Sequence, residues 1–317
     1  MRLADKFRKS MKATVWAFWE LTKITVPISV GTRLLQDFGL IEWLTPVFAP
    51  VMKLFGLPPE LALTWLVCLM VGVWGAVVTI FSLVPVHMFT AADMTVLAAL
   101  LLVAHGLPLE QRIIQKAGPS FWITTGLRFG GAVLFAALLH QVFAATGWLS
   151  TPLKPAWIPV AESSDWTAFI IDLAKSLAFM LVILVSLSLL MDLLKHIGIL
   201  RYLNLALSPL FRMAGIDAAA VPFSAVGLFL GISYGAGMLL REAREATLQP
   251  RQIFLACVFM GFAHALIEDT LIFVSLGADV AVLLFVRLAF AVVATALIAQ
   301  VLNIRTRWRM RADDPAT

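Results

Sequence analysis

Two short stretches set ionisable side chains inside otherwise apolar runs. They are Ala104-His105-Gly106-Leu107-Pro108-Leu109-Glu110 and Gly261-Phe262-Ala263-His264-Ala265-Leu266-Ile267-Glu268-Asp269-Thr270. Imidazoles and carboxylates together can bind a polar solute, carry a proton or ligate a cation. Such groups are costly at membrane depth, so their presence there points first to function. His105 and His264 stand 159 residues apart, as do Glu110 and Asp269. Matching ionisable groups in two halves of a chain point to a site between the halves. The alternative is that these groups bond one another and lock helices together.

The elements that carry them belong to a membrane. Of 317 residues 61% are hydrophobic and only 14% charged, with a mean hydropathy of +0.93. A soluble domain carries roughly a quarter charged residues, so the composition predicts an all-α polytopic membrane protein. The net charge of +5 gathers at a basic N-terminus, residues 1–12, and a basic tail, 303–317. Basic flanks are retained on the cytoplasmic side, so they report orientation and give no reason to expect nucleic acid. Cys68 and Cys257 both fall in apolar runs and suggest no disulfide. No short apolar core with a small-residue cleavage site follows the first residues, so no cleaved signal is expected.

The chain reads as two repeats, 13–146 and 166–302, joined by a Pro- and Ser-rich linker, 147–165, whose one base is Lys154. The first repeat holds apolar segments near 13–36, 40–56, 58–84, 94–116 and 119–146; the second holds them near 166–195, 197–214, 217–240, 252–275 and 278–302. At the same offset Gly39 meets Gly198, Gly56 meets Gly215, Gly72 meets Gly231, Gly118 meets Gly277 and Arg128 meets Arg287. Coincident glycines and arginines are not a product of apolar composition, so an internal duplication is expected. Basic termini inside and a base-poor linker outside require each repeat to cross an odd number of times, which makes the repeats inverted. Segments 40–56 and 197–214 are short enough either to span or to be re-entrant, because crossing takes roughly 20 apolar residues.

Breaks are predicted at Gly72, Gly106, Pro108, Gly231 and Gly235. Backbone freed there is tolerated at depth only against protein or water. In the second half, His264 and Glu268 share a face if the helix there is continuous. The substrate-binding candidates are His105, Glu110, His264, Glu268 and Asp269, with Ser233 and Tyr234 from the Gly-rich run 227–237. Arg128 and Arg287 lie deep enough to need partners and are expected to balance charge, Arg128 against Glu110 and Arg287 against Glu268 or Asp269. Three acids against two arginines leave −1 with neutral histidines, a balance that suits a cation or a proton. A mixed N and O metal set from the same five residues is the minority alternative, and the metal is left open. No Ser or Cys nucleophile has a base at workable spacing, and no H-E-x-x-H occurs. Hence no enzyme, catalytic residue or cofactor is expected.

The paired Ala-His…Glu/Asp stretches, with His264-Ala-Leu-Ile-Glu-Asp-Thr270 foremost, and the run Gly231-Ile-Ser-Tyr-Gly-Ala-Gly237 resemble the nucleoside-recognition, or Gate, family of bacterial membrane proteins. That family includes spore-maturation-like proteins and is similar to segments of concentrative nucleoside transporters and of the bacterial ferrous-iron permease. The resemblance implies a permease-like membrane domain. The phosphate loop of the iron permease's GTPase part, G-x-x-x-x-G-K-[ST], is absent from this sequence. The expected function is an inner-membrane secondary transporter, both termini cytoplasmic, that moves a small polar solute by alternating access. Its expected partners are the bilayer, the solute, H+ or Na+ as candidate coupling ions, and a second copy as a candidate assembly. A non-transporting assembly protein of spore-maturation type and a divalent-metal permease are the alternatives.

Overall fold

The computed structural model describes residues 11–312 except 13, 17, 20–21, 24–25, 28, 32, 35–36, 85–87, 154–164, 222–223, 226, 230 and 233–247. Among the described residues the chain is almost entirely helical and has no strand, only an isolated bridge between Thr90 and Pro152. Its helices include α1 (Leu40–Lys53), α2 (Leu61–Val71), α3 (Val73–Leu83), α4 (Ala91–Val103), α5 (Leu107–Lys116), α6 (Phe121–Thr146), α7 (Trp166–His196), α8 (Ile199–Met213), α9 (Pro250–Ala263), α10 (Glu268–Ser275) and α11 (Arg287–Ala312). One π turn, Val282–Val286, leads directly into α11.

Five helical segments among the described residues are long and apolar enough to cross a bilayer: Ala91–Lys116, Phe121–Thr146, Trp166–Leu190, Pro250–Ser275 and Val282–Ile304. Their place in the bundle follows from what they cover. The windows of Ala91–Lys116 and Pro250–Ser275 are each 78% buried, against 28% for Phe121–Thr146. The first two therefore form the centre, and α6, α7 and α11 wrap it. The outer helices turn apolar side chains outward, among them Leu134, Leu138, Ile170, Val293 and Leu297. In water such faces would be a liability; in a bilayer they meet lipid tails. Helices α1 and α8, of 14 and 15 residues, rise only about 21–23 Å at 1.5 Å per residue, short of a core about 30 Å thick.

Local chemistry explains where the central helices start and stop. Thr90 and Asp93 form a capping box: the Asp93 amide donates to Thr90 Oγ1 at 3.1 Å and the Thr90 amide donates to Asp93 Oδ2 at 2.9 Å. That fixes the start of α4. The helix ends at Val103, Ala104 is already extended, and Gly106 takes a left-handed turn, φ 53°. Pro108 then falls in the first turn of α5, where its missing N–H costs nothing. Proline thus opens the second half-helix rather than causing the break. The run 58–84 breaks at Gly72, φ 121°, while Gly75 lies inside α3, packed against Val67.

The second central helix also breaks. Helix α9 stops at Ala263 and α10 begins at Glu268, with turns between them. His264 and Glu268 therefore do not share a face of one continuous helix, contrary to the spacing argument. The turn passes through Ala265 at φ 46°, the position that matches Gly106 at the 159-residue offset. Several backbone bonds recur at that offset as well. Gly106 donates to the Cys68 carbonyl at 2.9 Å and Ala265 to that of Gly227 at 3.4 Å; Leu57 donates to Met52 and Ile216 to Phe211. The freed backbone of each break is thereby satisfied by a neighbouring helical segment, as burial at membrane depth demands.

Candidate functional site

The two breaks face each other at the centre of the bundle. Helix α4 packs against α9 and α10, so the last residues of α4 and α9 are brought side by side. His105 follows α4, His264 follows α9, and their Nε2 atoms lie 3.0 Å apart. The rings are tilted by 38° with centroids 4.6 Å apart. Each ring is held by its other nitrogen. His105 Nδ1 sits 3.3 Å from the Leu101 carbonyl and His264 Nδ1 sits 2.9 Å from that of Met260.

Carboxylates close around the pair. Glu110, in the first turn of α5, places Oε2 3.3 Å from His264 Nε2 and Oε1 3.7 Å from His105 Nε2. Asp269, in the first turn of α10, places Oδ2 3.6 Å from His105 Nε2. Both carboxylates thus sit at helix N-termini, where the helix dipole favours negative charge. Glu268, the first residue of α10, is half-buried. His105, Glu110, His264 and Asp269 are all buried, and Asp269 Oδ2 has no hydrogen-bond partner.

The arginines work on the broken helix ends. Arg128 donates from Nε to the Val103 carbonyl at 2.9 Å, from Nη2 to that of His105 at 3.2 Å, and from Nη1 to Glu110 Oε2 at 2.6 Å. Arg287 donates from Nε to Phe262 at 3.0 Å and from Nη2 to the carbonyls of His264 at 3.0 Å and Leu102 at 2.9 Å. Each arginine caps the C-terminal end of a half-helix, where carbonyls lack intrahelical partners and the dipole is negative. The Arg128–Glu110 pair agrees with the expectation from sequence. Arg287 departs from it: among the described residues no carboxylate lies within ion-pair range, and its Nη1 has no hydrogen-bond partner. Three carbonyls occupy it instead.

The remaining sequence candidates divide. Gly106 forms the first break and Gly72 a neighbouring one; Gly231, φ 81°, lies beside the second, where an added Cβ would stand 3.6 Å from that of Ala265. Ser233, Tyr234 and Gly235 lie outside the described residues. Sequence reasoning did not single out Ala265 or the free carbonyls, because neither carries a side-chain signature. A further residue is Gly261, whose added Cβ would approach Arg128 Cγ to 2.9 Å, so only glycine leaves the guanidinium its path.

Comparison with known proteins agrees with the membrane reading. The chain is similar to the uncharacterized membrane protein YvoD of Bacillus subtilis (strain 168), 26% identical over 303 residues, which cover 92% of this chain and 94% of the relative. No solved structure matches. The family model for nucleoside recognition, Gate, matches residues 18–118, which include His105 and Glu110. The protein is a helical, multi-pass membrane protein whose residues 18–118 match the family model for nucleoside recognition.

Proposed function

We propose that the protein is a secondary transporter of the bacterial inner membrane, moving a small polar solute of nucleoside-like class by alternating access. The observation that carries this reading is the meeting of two broken central helices through His105 and His264, Nε2 to Nε2 at 3.0 Å. Interrupted helices at corresponding places bring backbone dipoles and ionisable side chains to the membrane midplane, the arrangement from which many transporter sites are built. In this reading His105, Glu110, His264 and Asp269 line the site, with Glu268 at its edge. Arg128 and Arg287 hold the broken ends in place. The two halves are inserted in opposite orientation with both termini cytoplasmic, and rocking of one half against the other exposes the site to each side in turn.

The reading favours transport over a passive assembly role because the cluster contains buried polar atoms without partners, Asp269 Oδ2 and Arg287 Nη1. A cluster serving only to lock helices would be expected to satisfy them. Uptake of labelled nucleosides into vesicles holding the purified protein tests the proposal. Wild type should accumulate at least one nucleoside above empty vesicles, and His264→Gln should abolish the uptake while remaining folded. Uptake by the variant equal to wild type for every nucleoside moved would remove His264 from the site. Failure of wild type to move any nucleoside would remove the substrate class.

A further inference from the structure

The geometry points to a divalent-cation site formed by His105, His264 and Asp269, with Glu110 beside the two imidazoles, taking one ion of the borderline class that imidazole and carboxylate ligate together, such as Zn2+ or Co2+. The inference concerns the same cluster but does not rest on transport.

The tautomers come first. A main-chain carbonyl only accepts hydrogen bonds, so the contacts of His105 Nδ1 with Leu101 and of His264 Nδ1 with Met260 place a hydrogen on each Nδ1. In a neutral ring the Nε2 atom then carries a bare lone pair. Those two lone pairs face each other across 3.0 Å in a buried site. Neither satisfies the other, and Glu110 Oε2, 3.3 Å from His264 Nε2, is a further acceptor, so an electrophile among them satisfies all three.

The surrounding oxygens indicate which electrophile. A single proton shared by the rings would answer the lone pairs but would leave Asp269 Oδ2 unpartnered. A metal ion answers both. Metal–nitrogen and metal–oxygen distances of about 2.0–2.2 Å in a tetrahedral site put neighbouring donor atoms about 3.3–3.6 Å apart. The observed separations of 3.0 Å between imidazoles and 3.6 Å from His105 to Asp269 Oδ2 lie close to that figure, and Glu110 Oε1 lies 3.7 Å from His105. The donor atoms of His105, His264 and Asp269 all fall within 4.8 Å of one another. Two imidazole nitrogens and a carboxylate oxygen are a donor set for zinc and its transition-metal neighbours rather than for calcium or magnesium.

The supporting residues also fit. Ligating histidines characteristically donate their second ring N–H to a carbonyl or carboxylate, which fixes the ring and its basicity. Both histidines do so here. Glu110 is held by Arg128 through Oε2, which leaves Oε1 free. Helix breaks at Gly106 and Ala265 are followed by the first turns of α5 and α10, which bring Glu110 and Asp269 beside the histidines.

The test uses full-length, untagged protein in detergent, stripped with a chelator and titrated with Co2+ followed by its visible absorption and with Zn2+ by calorimetry. One equivalent per chain is expected, with a spectrum of nitrogen and oxygen ligands. His105→Gln and His264→Gln should each weaken binding at least about ten-fold, as loss of a ligand does no less than loss of its supporting shell. His140→Ala, on α6, should bind as wild type does. If the glutamine variants do not fold, zinc X-ray absorption of the wild type decides, with two imidazoles per ion expected. Wild-type binding below one equivalent, binding unchanged in folded variants, or an absorption spectrum without imidazole scattering would each overturn the site.

Discussion

At the scale of single residues, the arginines explain how so much charge is kept away from lipid. A buried ion pair usually recovers little more than its desolvation cost, but removing one partner strands the other. Arg128 has three partners at once: Glu110 and the carbonyls of Val103 and His105. Arg128→Met should therefore destabilise the protein by roughly 3–5 kcal/mol, measured by denaturant unfolding in detergent. A loss below 1 kcal/mol would mean that water replaces the guanidinium. Arg287 poses a different question, since its partners are the carbonyls of Leu102, Phe262 and His264. Lysine keeps the charge there but loses the planar fork. Arg287→Lys should lower the melting temperature clearly, whereas a pure charge-balancing role predicts no change. The sequence showed that Arg287 needed partners. It did not show which, because carbonyls become available only where a helix is interrupted.

At the scale of elements, the two central helices reach the same break through different residues. Gly106 adopts φ 53° at no steric cost, while Ala265 adopts φ 46° with a Cβ that disfavours it. Ala265→Gly should therefore stabilise the protein by about 1 kcal/mol, and Gly106→Ala should destabilise it by about as much. Unfolding of the two variants side by side checks the sign of each. Equal effects of the same sign would show that the turn is not what limits either residue. The first break was legible because glycine and proline punctuate the stretch. The second was not, because alanine gives no such signal and the four-residue spacing of His264 and Glu268 suits a continuous helix. The left-handed turn at Ala265 is imposed from outside, by the hydrogen bonds that Ala265 and Leu266 donate to the carbonyls of Gly227 and Leu228. A strained residue at a site of clustered charge fits the tendency of functional sites to store strain.

At the scale of the whole molecule, the proposed opposed insertion of the two halves makes a prediction about sidedness. Cys68 and Cys257 are both buried, so a new surface cysteine reports alone. In intact cells Ser150→Cys, in the base-poor linker, should react with a membrane-impermeant thiol reagent, and Thr317→Cys only after permeabilisation. Labelling of both from outside would place the two halves in the same orientation and remove the alternating-access reading.

What the sequence determined by itself is what composition and local punctuation determine. An apolar, charge-poor chain has to bury its backbone polar groups within helices in a bilayer, and charges placed inside such helices have to be gathered rather than exposed. The histidines, the acids, the break at Gly106 and the pairing of Arg128 with Glu110 follow from that. Tertiary structure alone decided that the helix ending at Ala263 also breaks, that Arg287 caps carbonyls instead of pairing with a carboxylate, and that the Nε2 atoms of His105 and His264 meet. Those facts depend on which groups approach through space across 159 residues of chain, and on which carbonyls are left without a partner when they do.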